Sequence, residues 1–186
     1  QHEWYVHNGN IDFLRHHRAY ITGVIDRIDE CVDEEGNENL AKQRFLDWPS
    51  SPNQPGVEAG CRALLSWALK DAEVLCNLLE EQEHAKKCRA ISKRLKKQIK
   101  QPNGLKQAAA LMSIAGLMKP EQACSEVISV DGAKDFSTFY GYYMLQALAQ
   151  AGEYQQALDI IRQYWGGMLD LGATTFWEDF NLDWIH

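Results

Sequence analysis

Apolar residues recur every three or four positions along most of the chain, a period that predicts a series of α-helices. The first face consists of Ile11, Leu14, Ile21, Val24, Ile25, Ile28 and Val32. Asn10 precedes it and is a suitable N-cap. Further apolar stripes predict helices at 57–79, 88–99 and 154–169, and Pro120 is expected in the first turn of a short helix. One short segment, 44–48, is a candidate strand.

The helices differ in how much of their circumference is apolar. Segments 105–118 and 138–151 are apolar nearly all round, and 57–79 has only a narrow polar face. The helices at 11–32 and 154–169 are apolar on a single face, which suits an outer layer, whereas the all-round ones suit an inner layer. This alternation predicts an all-α fold of about three stacked αα-hairpins, in one domain covering residues 1–186.

The loops that lead from outer to inner helices would all emerge at one end of such a stack. They contain most of the unusual residues: Asp47, Trp48, Pro49, Asp131, Asp135, Phe136, Thr174, Thr175, Trp177 and Glu178. Because functional residues concentrate on long loops held by a rigid scaffold, we expect a site at this end.

Two of these loops have both a structural and a functional interpretation. In RFLDWPSSPNQPG, residues 44–56, the prolines predict a stiff loop in the structural interpretation. In the functional interpretation, Trp48 stacks on a sugar ring and Asp47 accepts hydrogen bonds from the hydroxyls of that sugar. In GATTFWEDF, residues 172–180, Glu178 is an exposed residue at a helix start, or a carboxylate dehydrated by aromatic rings and suited to acid–base catalysis. The spacing of residues does not decide between the two interpretations of the first loop. For Glu178 it favours an exposed position at a helix start.

The charge balance bears on which partners the protein binds. With 19 basic and 26 acidic residues the net charge is −7, which disfavours nucleic acid as a partner. The basic segment 84–106 is expected to form the solvated side of an outer helix, since it lacks the interleaved aromatics that stack on bases. The acidic segment 26–38 is a candidate to face it. No apolar stretch approaches the roughly 20 residues of a membrane helix, so no membrane partner is expected.

Several chemistries have no motif in this chain. The five cysteines include no CxxC pair and are interpreted as small buried apolar residues. The histidines lack ligand spacing, and no nucleotide-binding or zinc-protease motif is found, so no metal or cofactor is expected. Segment 148–165 resembles a tetratricopeptide helical turn without a copy about 34 residues away. A non-catalytic helical-repeat interaction module therefore remains the alternative to an enzyme.

The segment FYGYYMLQALAQAGEYQQALDIIRQYWGGMLDLGATTFWEDF, residues 139–180, resembles the α-L-rhamnosidase family of glycoside hydrolases. Its most specific part is the run from Trp165 to Glu178, and FLDWP at 45–49 is similar as well. The resemblance covers most of the chain and is strongest after Phe136.

The resemblance implies a fold and an activity. The family's catalytic domain is an (α/α)6 toroid of six αα-hairpins, of which this chain would form about half. Members cleave terminal α-L-rhamnosyl residues with inversion, between two carboxyl groups roughly 6.5–9.5 Å apart. Glu178 matches the general base that activates water. Asp47, Trp48, Tyr140 and Trp177 are the expected substrate-binding residues, and the partner would be a rhamnose-containing oligosaccharide or glycoside.

The general acid of the family lies in an upstream motif that has no counterpart in this chain. We therefore expect a piece of a bacterial-type enzyme, truncated at both ends and inactive by itself because the general acid is missing. An inner helix layer without its closing partner predicts either self-association through that layer or a large exposed concave face. The cellular location stays open between cytoplasm and periplasm, because a targeting segment would lie outside these residues.

Overall fold

The computed structural model describes residues 1–39 and 44–185, and in these residues it contains nine α-helices and no β-strand. The helices are α1 (His2–Asn8), α2 (Ile11–His16), α3 (Arg18–Cys31), α4 (Gln54–Leu78), α5 (Gln82–Leu95), α6 (Lys106–Ile114), α7 (Pro120–Ala123), α8 (Gly141–Gln150) and α9 (Tyr154–Asp170). The predicted all-α class is confirmed. Across the same residues, no helix combines the length and apolar character that a membrane crossing requires.

The chain forms two compact units. The first contains Gln1–Lys42 and Leu65–Ile99, and the second contains Gln43–Leu64 and Lys100–His186. Helix α4 contributes its N-terminal part to the second unit and its C-terminal part to the first. All five candidate site residues belong to the second unit.

In the first unit, the predicted helix at 11–32 is present but interrupted. The Asn10 side chain accepts hydrogen bonds from the amides of Asp12 (3.0 Å) and Phe13 (3.2 Å), which confirms it as an N-cap. The interruption lies at His17, which has non-helical dihedral angles and separates α2 from α3. Sequence reasoning missed this break because the apolar period continues across it.

The basic helix α5 packs against α3 through an apolar stripe and flanking ion pairs. Ala85, Cys88, Ile91 and Leu95 are buried in the core of this unit. Lys87 Nζ lies 2.5 Å from Asp26 Oδ1, and Arg94 pairs with Asp29. Arg94 Nη1 also donates to the carbonyl of Val32 (2.7 Å), just beyond the C-terminus of α3, where carbonyls lack helical partners. The predicted pairing of the acidic and basic segments is confirmed at these residues.

The second unit is built around α6, whose residues from Lys106 to Ser113 are all buried. It packs against α7 and α8, and α8 packs against α9. Pro120 occupies the first turn of α7, as predicted. The strand predicted at 44–48 is wrong: side-chain and backbone hydrogen bonds between Asp47 and Ser50 fold this segment into a turn.

Several apolar side chains of α9 are exposed, whereas α6 is buried. The face predicted for α9 consists of Tyr154, Ala157, Leu158, Ile161, Trp165, Met168 and Leu169. Of these, Met168 is buried, Ala157 and Trp165 are half-buried, and the other four are exposed, whereas Ile160, Tyr164 and Gly167 are also buried. The expectation of an exposed inner layer therefore fails at α6. Its small side chains let α4 approach closely, since a Cβ on Gly60 of α4 would lie 3.4 Å from Ala108 Cα.

Candidate functional site

Three segments distant in sequence form a cavity of about 180 Å³ in the second unit. They are the turn before α4, the segment leading into α8, and the segment after α9. The lining residues are Phe45, Leu46, Asp47, Trp48, Pro49, Ser137, Phe139, Tyr140 and Glu178. The structure therefore brings together four of the five residues predicted from sequence: Asp47, Trp48, Tyr140 and Glu178.

The turn before α4 presents the Trp48 ring to solvent. The Ser50 amide donates to Asp47 Oδ1 (3.1 Å), and the Ser50 hydroxyl donates to the Asp47 carbonyl (3.0 Å). These short-range bonds are typical of turns that begin at aspartate. Trp48 lies at the corner and is 66% exposed, while Phe45 meets its ring edge-on at 5.0 Å. An exposed and supported indole face is suited to stacking against a ligand.

The Asp47 carboxylate joins this turn to two other elements. Asp47 Oδ2 accepts hydrogen bonds from Gln107 Nε2 of α6 (3.0 Å) and from Ser137 Oγ ahead of α8 (2.6 Å). Its Oδ1 accepts the Ser50 amide. Both oxygens are thus bonded within the protein, and only their remaining lone pairs are left for a ligand. Asp47 holds the cavity wall together in addition to lining it.

Tyr140 lies at the start of α8 and lines the same cavity. Its ring is buried and packs against Phe139 (5.5 Å between centroids) and Tyr143 (5.6 Å). Burial raises the pKa of the Tyr140 phenol to about 12, and the neighbouring Asp47 carboxylate adds to this effect. The phenol therefore stays protonated at neutral pH and can donate a hydrogen bond.

Glu178 is held in place by the residues around it. The Tyr164 hydroxyl of α9 donates to the carbonyl of Phe180 (3.2 Å), and the Thr138 hydroxyl donates to the carbonyl of Trp177 (2.6 Å). The buried Phe180 ring lies against Tyr164, 5.2 Å between centroids. The backbone on both sides of Glu178 is therefore tied to α9 and to the segment ahead of α8.

The Glu178 side chain itself is exposed and free. No hydrogen bond or ion pair engages its carboxylate within residues 1–39 and 44–185. It lies in a loop and not at a helix start, and the expected dehydration by aromatic rings is not observed. Of the two carboxylates in the cavity, Asp47 is internally bonded and Glu178 is available to water or a ligand.

Trp177 lies beside this cavity without lining it. Its side chain is half-buried and packs against Phe180, 6.0 Å between centroids. Trp177 therefore packs within the loop after α9 and does not line the cavity. Sequence reasoning also missed Ser137 and Gln107, the two donors to Asp47. A glutamine within the apolar run of α6 was the available signal, because a buried amide requires partners.

Lys106, another residue missed from sequence, fixes the loop that leads toward Ser137. Its ammonium donates to the carbonyls of Val130 (2.6 Å) and Gly132 (2.7 Å) and lies 5.2 Å from the centre of the Phe136 ring. Burial lowers the pKa of Lys106 from 10.5 to about 8, although Asp135 and Asp131 favour the charged form.

Within the described part of the chain, no group of three or more histidine, cysteine or acidic side chains is arranged to hold a metal ion. No protein-family model, curated protein or solved structure matches the chain. The geometry of the cavity and the sequence motifs therefore carry the functional argument.

Proposed function

We propose that the chain forms part of an inverting glycoside hydrolase that acts on terminal α-L-rhamnosyl residues, with Glu178 as the general base. The observation that supports this most is the convergence of Trp48, Tyr140 and Glu178 on one cavity from three distant segments. A pyranose presents an apolar C–H face and a rim of hydroxyls. An indole face, a phenol donor and a free carboxylate are complementary to such a ring.

The two carboxylates of the cavity take different roles in this proposal. A general base must accept a proton from water, so it needs lone pairs not engaged by the protein. Glu178 meets this requirement. Asp47 accepts hydrogen bonds at both oxygens, which suits a positioning group and not an acid that must donate a proton to the substrate. We expect the general acid to come from residues outside this cavity wall.

In the proposed architecture, α6 and α8 belong to the inner layer of a toroid of αα-hairpins, and α9 belongs to the outer layer. The burial of α6 and the one-sided burial of α9 support this assignment. The loops at 44–50, 129–140 and 171–181 then share one end of the stack, which agrees with their convergence on the cavity.

A substrate whose leaving group needs no protonation tests Glu178 independently of the general acid. We expect the chain to hydrolyse α-L-rhamnosyl fluoride, with fluoride released and β-L-rhamnose as the first sugar product seen by NMR. Glu178→Gln should lower the rate about 10²-fold or more, the usual contribution of a positioned base. Glu121→Gln, at an exposed glutamate of α7, is the matched control.

The results that contradict the proposal are distinct. Fluoride release at the buffer rate would reject the site as a hydrolase, and α-L-rhamnose as first product would reject inversion. Full activity of the Glu178→Gln variant would reject the assigned base while keeping the activity.

The alternative, a non-catalytic helical interaction module, draws support from the exposed apolar side chains on α9. Tyr154, Leu158 and Ile161 follow one another at spacings of four and three on the same helix face. A module of this kind would bind a protein partner or a second copy through α9. Sedimentation velocity tests whether a second copy binds through α9. Leu158→Glu should convert a dimer to a monomer without affecting fluoride release.

A further inference from the structure

A second cavity adjoins the one that contains Glu178. It has a volume of about 280 Å³ and is walled by aromatic rings that include Phe136, Tyr164, Phe180 and Trp184. Trp48 and Pro49 line both cavities. Trp48 therefore lies between two spaces that a ligand could occupy.

The same three chain segments contribute neighbouring residues to each cavity. Ser137 lines the first cavity and Phe136 the second, and Glu178 lines the first while Asp179 lines the second. Trp48 belongs to both cavities. The boundary between the two cavities therefore follows these three segments, and the cavities lie side by side.

The volumes indicate a ligand longer than one ring. Pockets for small molecules usually measure roughly 300–1,000 Å³, and neither cavity alone reaches that range, whereas the two together do. The second cavity also carries polar groups beside its rings. Lys134, Asp135 and Asn181 offer donors and acceptors along its edge, and all three are exposed.

We infer that the second cavity binds the sugar unit next to the terminal rhamnosyl residue, so that the site recognises at least a disaccharide. This inference rests on the proposed function, since it assigns the rhamnosyl ring to the cavity with Glu178. Trp48 contacts both sugars, Trp184 stacks on the second one, and Lys134 donates to its hydroxyls.

Affinities for one ring and for two rings test the inference. The probes are L-rhamnose and α-L-rhamnosyl-(1→6)-D-glucose, titrated into the chain by NMR or calorimetry. We expect the disaccharide to bind at least tenfold more tightly than L-rhamnose. Trp184→Ala should remove most of that advantage while leaving L-rhamnose affinity unchanged, and Trp48→Ala should weaken both ligands.

Two further variants test whether the effect is specific to the second cavity. Lys134→Met should also reduce the disaccharide advantage, and because Lys134 is exposed the fold should be retained. Tyr154→Ala removes an exposed aromatic side chain on α9, outside both cavities, and should change neither affinity.

Failure of this inference is distinguishable from failure of the proposed function. If L-rhamnose binds and the disaccharide gains nothing, or if the gain survives both Trp184→Ala and Lys134→Met, the second subsite is rejected and the first remains. If neither sugar binds, both assignments are rejected.

Discussion

Replacing Lys106 with methionine tests how the loop that leads toward Ser137 is held. The ammonium donates to two carbonyls, at 2.6 Å and 2.7 Å, from a buried position at the start of α6. Hydrogen bonds to charged groups contribute about 1.5–3 kcal/mol each, so the variant loses about 3–6 kcal/mol of favourable interaction. Methionine in turn removes the cost of burying a charge.

That opposing cost follows from the pKa of Lys106, which burial lowers from 10.5 to about 8. A tenfold change in an acid dissociation constant corresponds to about 1.4 kcal/mol, so charge burial costs about 3 kcal/mol at neutral pH. Because the two effects largely offset each other, we expect Lys106→Met to be less stable than the wild type by only about 1–2 kcal/mol at pH 7.

The pH dependence separates the two effects. Between about pH 8 and 10.5 the unfolded wild-type chain binds more protons at Lys106 than the folded protein does, so wild-type stability rises with pH in this window. The methionine variant has no such group. The gap between the two proteins should therefore widen by up to about 3 kcal/mol across the window.

Urea unfolding followed by circular dichroism at pH 7, 8, 9 and 10 measures this gap, with Lys119→Met at an exposed lysine as control. A gap that stays constant would show that the pKa of Lys106 is not lowered. A gap that narrows would show the opposite sign, with the carbonyls and the Phe136 face stabilising the ammonium by more than burial costs.

The remaining predictions concern α9 and the cysteines. Gly167→Ala should destabilise the protein by about 1 kcal/mol or more, because a Cβ there would lie 3.1 Å from Cζ of the buried Phe180 ring, whereas the exposed Ile185 side chain can move away. Gly166→Ala meets open space and should stabilise α9 by about 0.5–1 kcal/mol; equal effects in thermal unfolding would contradict the packing. Burial raises the pKa of the Cys88 thiol to about 12 and of Cys124 to about 11. In a timed reaction with a disulfide reagent at pH 8, the half-buried Cys31 and Cys61 should react first, and equal rates in the folded protein would contradict this.

The sequence predicted helices correctly where a capping or first-turn residue and the period of apolar residues indicate the same helix start. Asn10 caps α2, Pro120 opens α7, and the all-round apolar segment at 105–118 contains α6. Those features depend on residues within a few positions of one another. The break at His17 was missed because the apolar period continues through a residue with non-helical dihedral angles.

The residues of the candidate site could be predicted from the sequence, but the hydrogen bonds between them could not. The segments around 47, 137 and 178 converge on one cavity, and the alternation of one-faced and all-round apolar helices predicted that these loops would lie together. Whether Asp47 binds a ligand or holds Gln107 and Ser137 depends on contacts 60 and 90 residues away in sequence. The exposed face of α9 likewise depends on which neighbours reach it.

The position of Glu178 depends on how firmly the chain after α9 is held. Glu178 makes no side-chain hydrogen bond or ion pair that would fix it within the described residues, so its location follows from its neighbours. Phe180 fits against Tyr164 because residue 167 lacks a Cβ, and the Tyr164 hydroxyl bonds the Phe180 carbonyl. If this packing positions the carboxylate, Gly167→Ala should also lower fluoride release from α-L-rhamnosyl fluoride at temperatures where the variant remains folded. A variant that is less stable yet fully active would show instead that Glu178 is positioned through Thr138 and the carbonyl of Trp177.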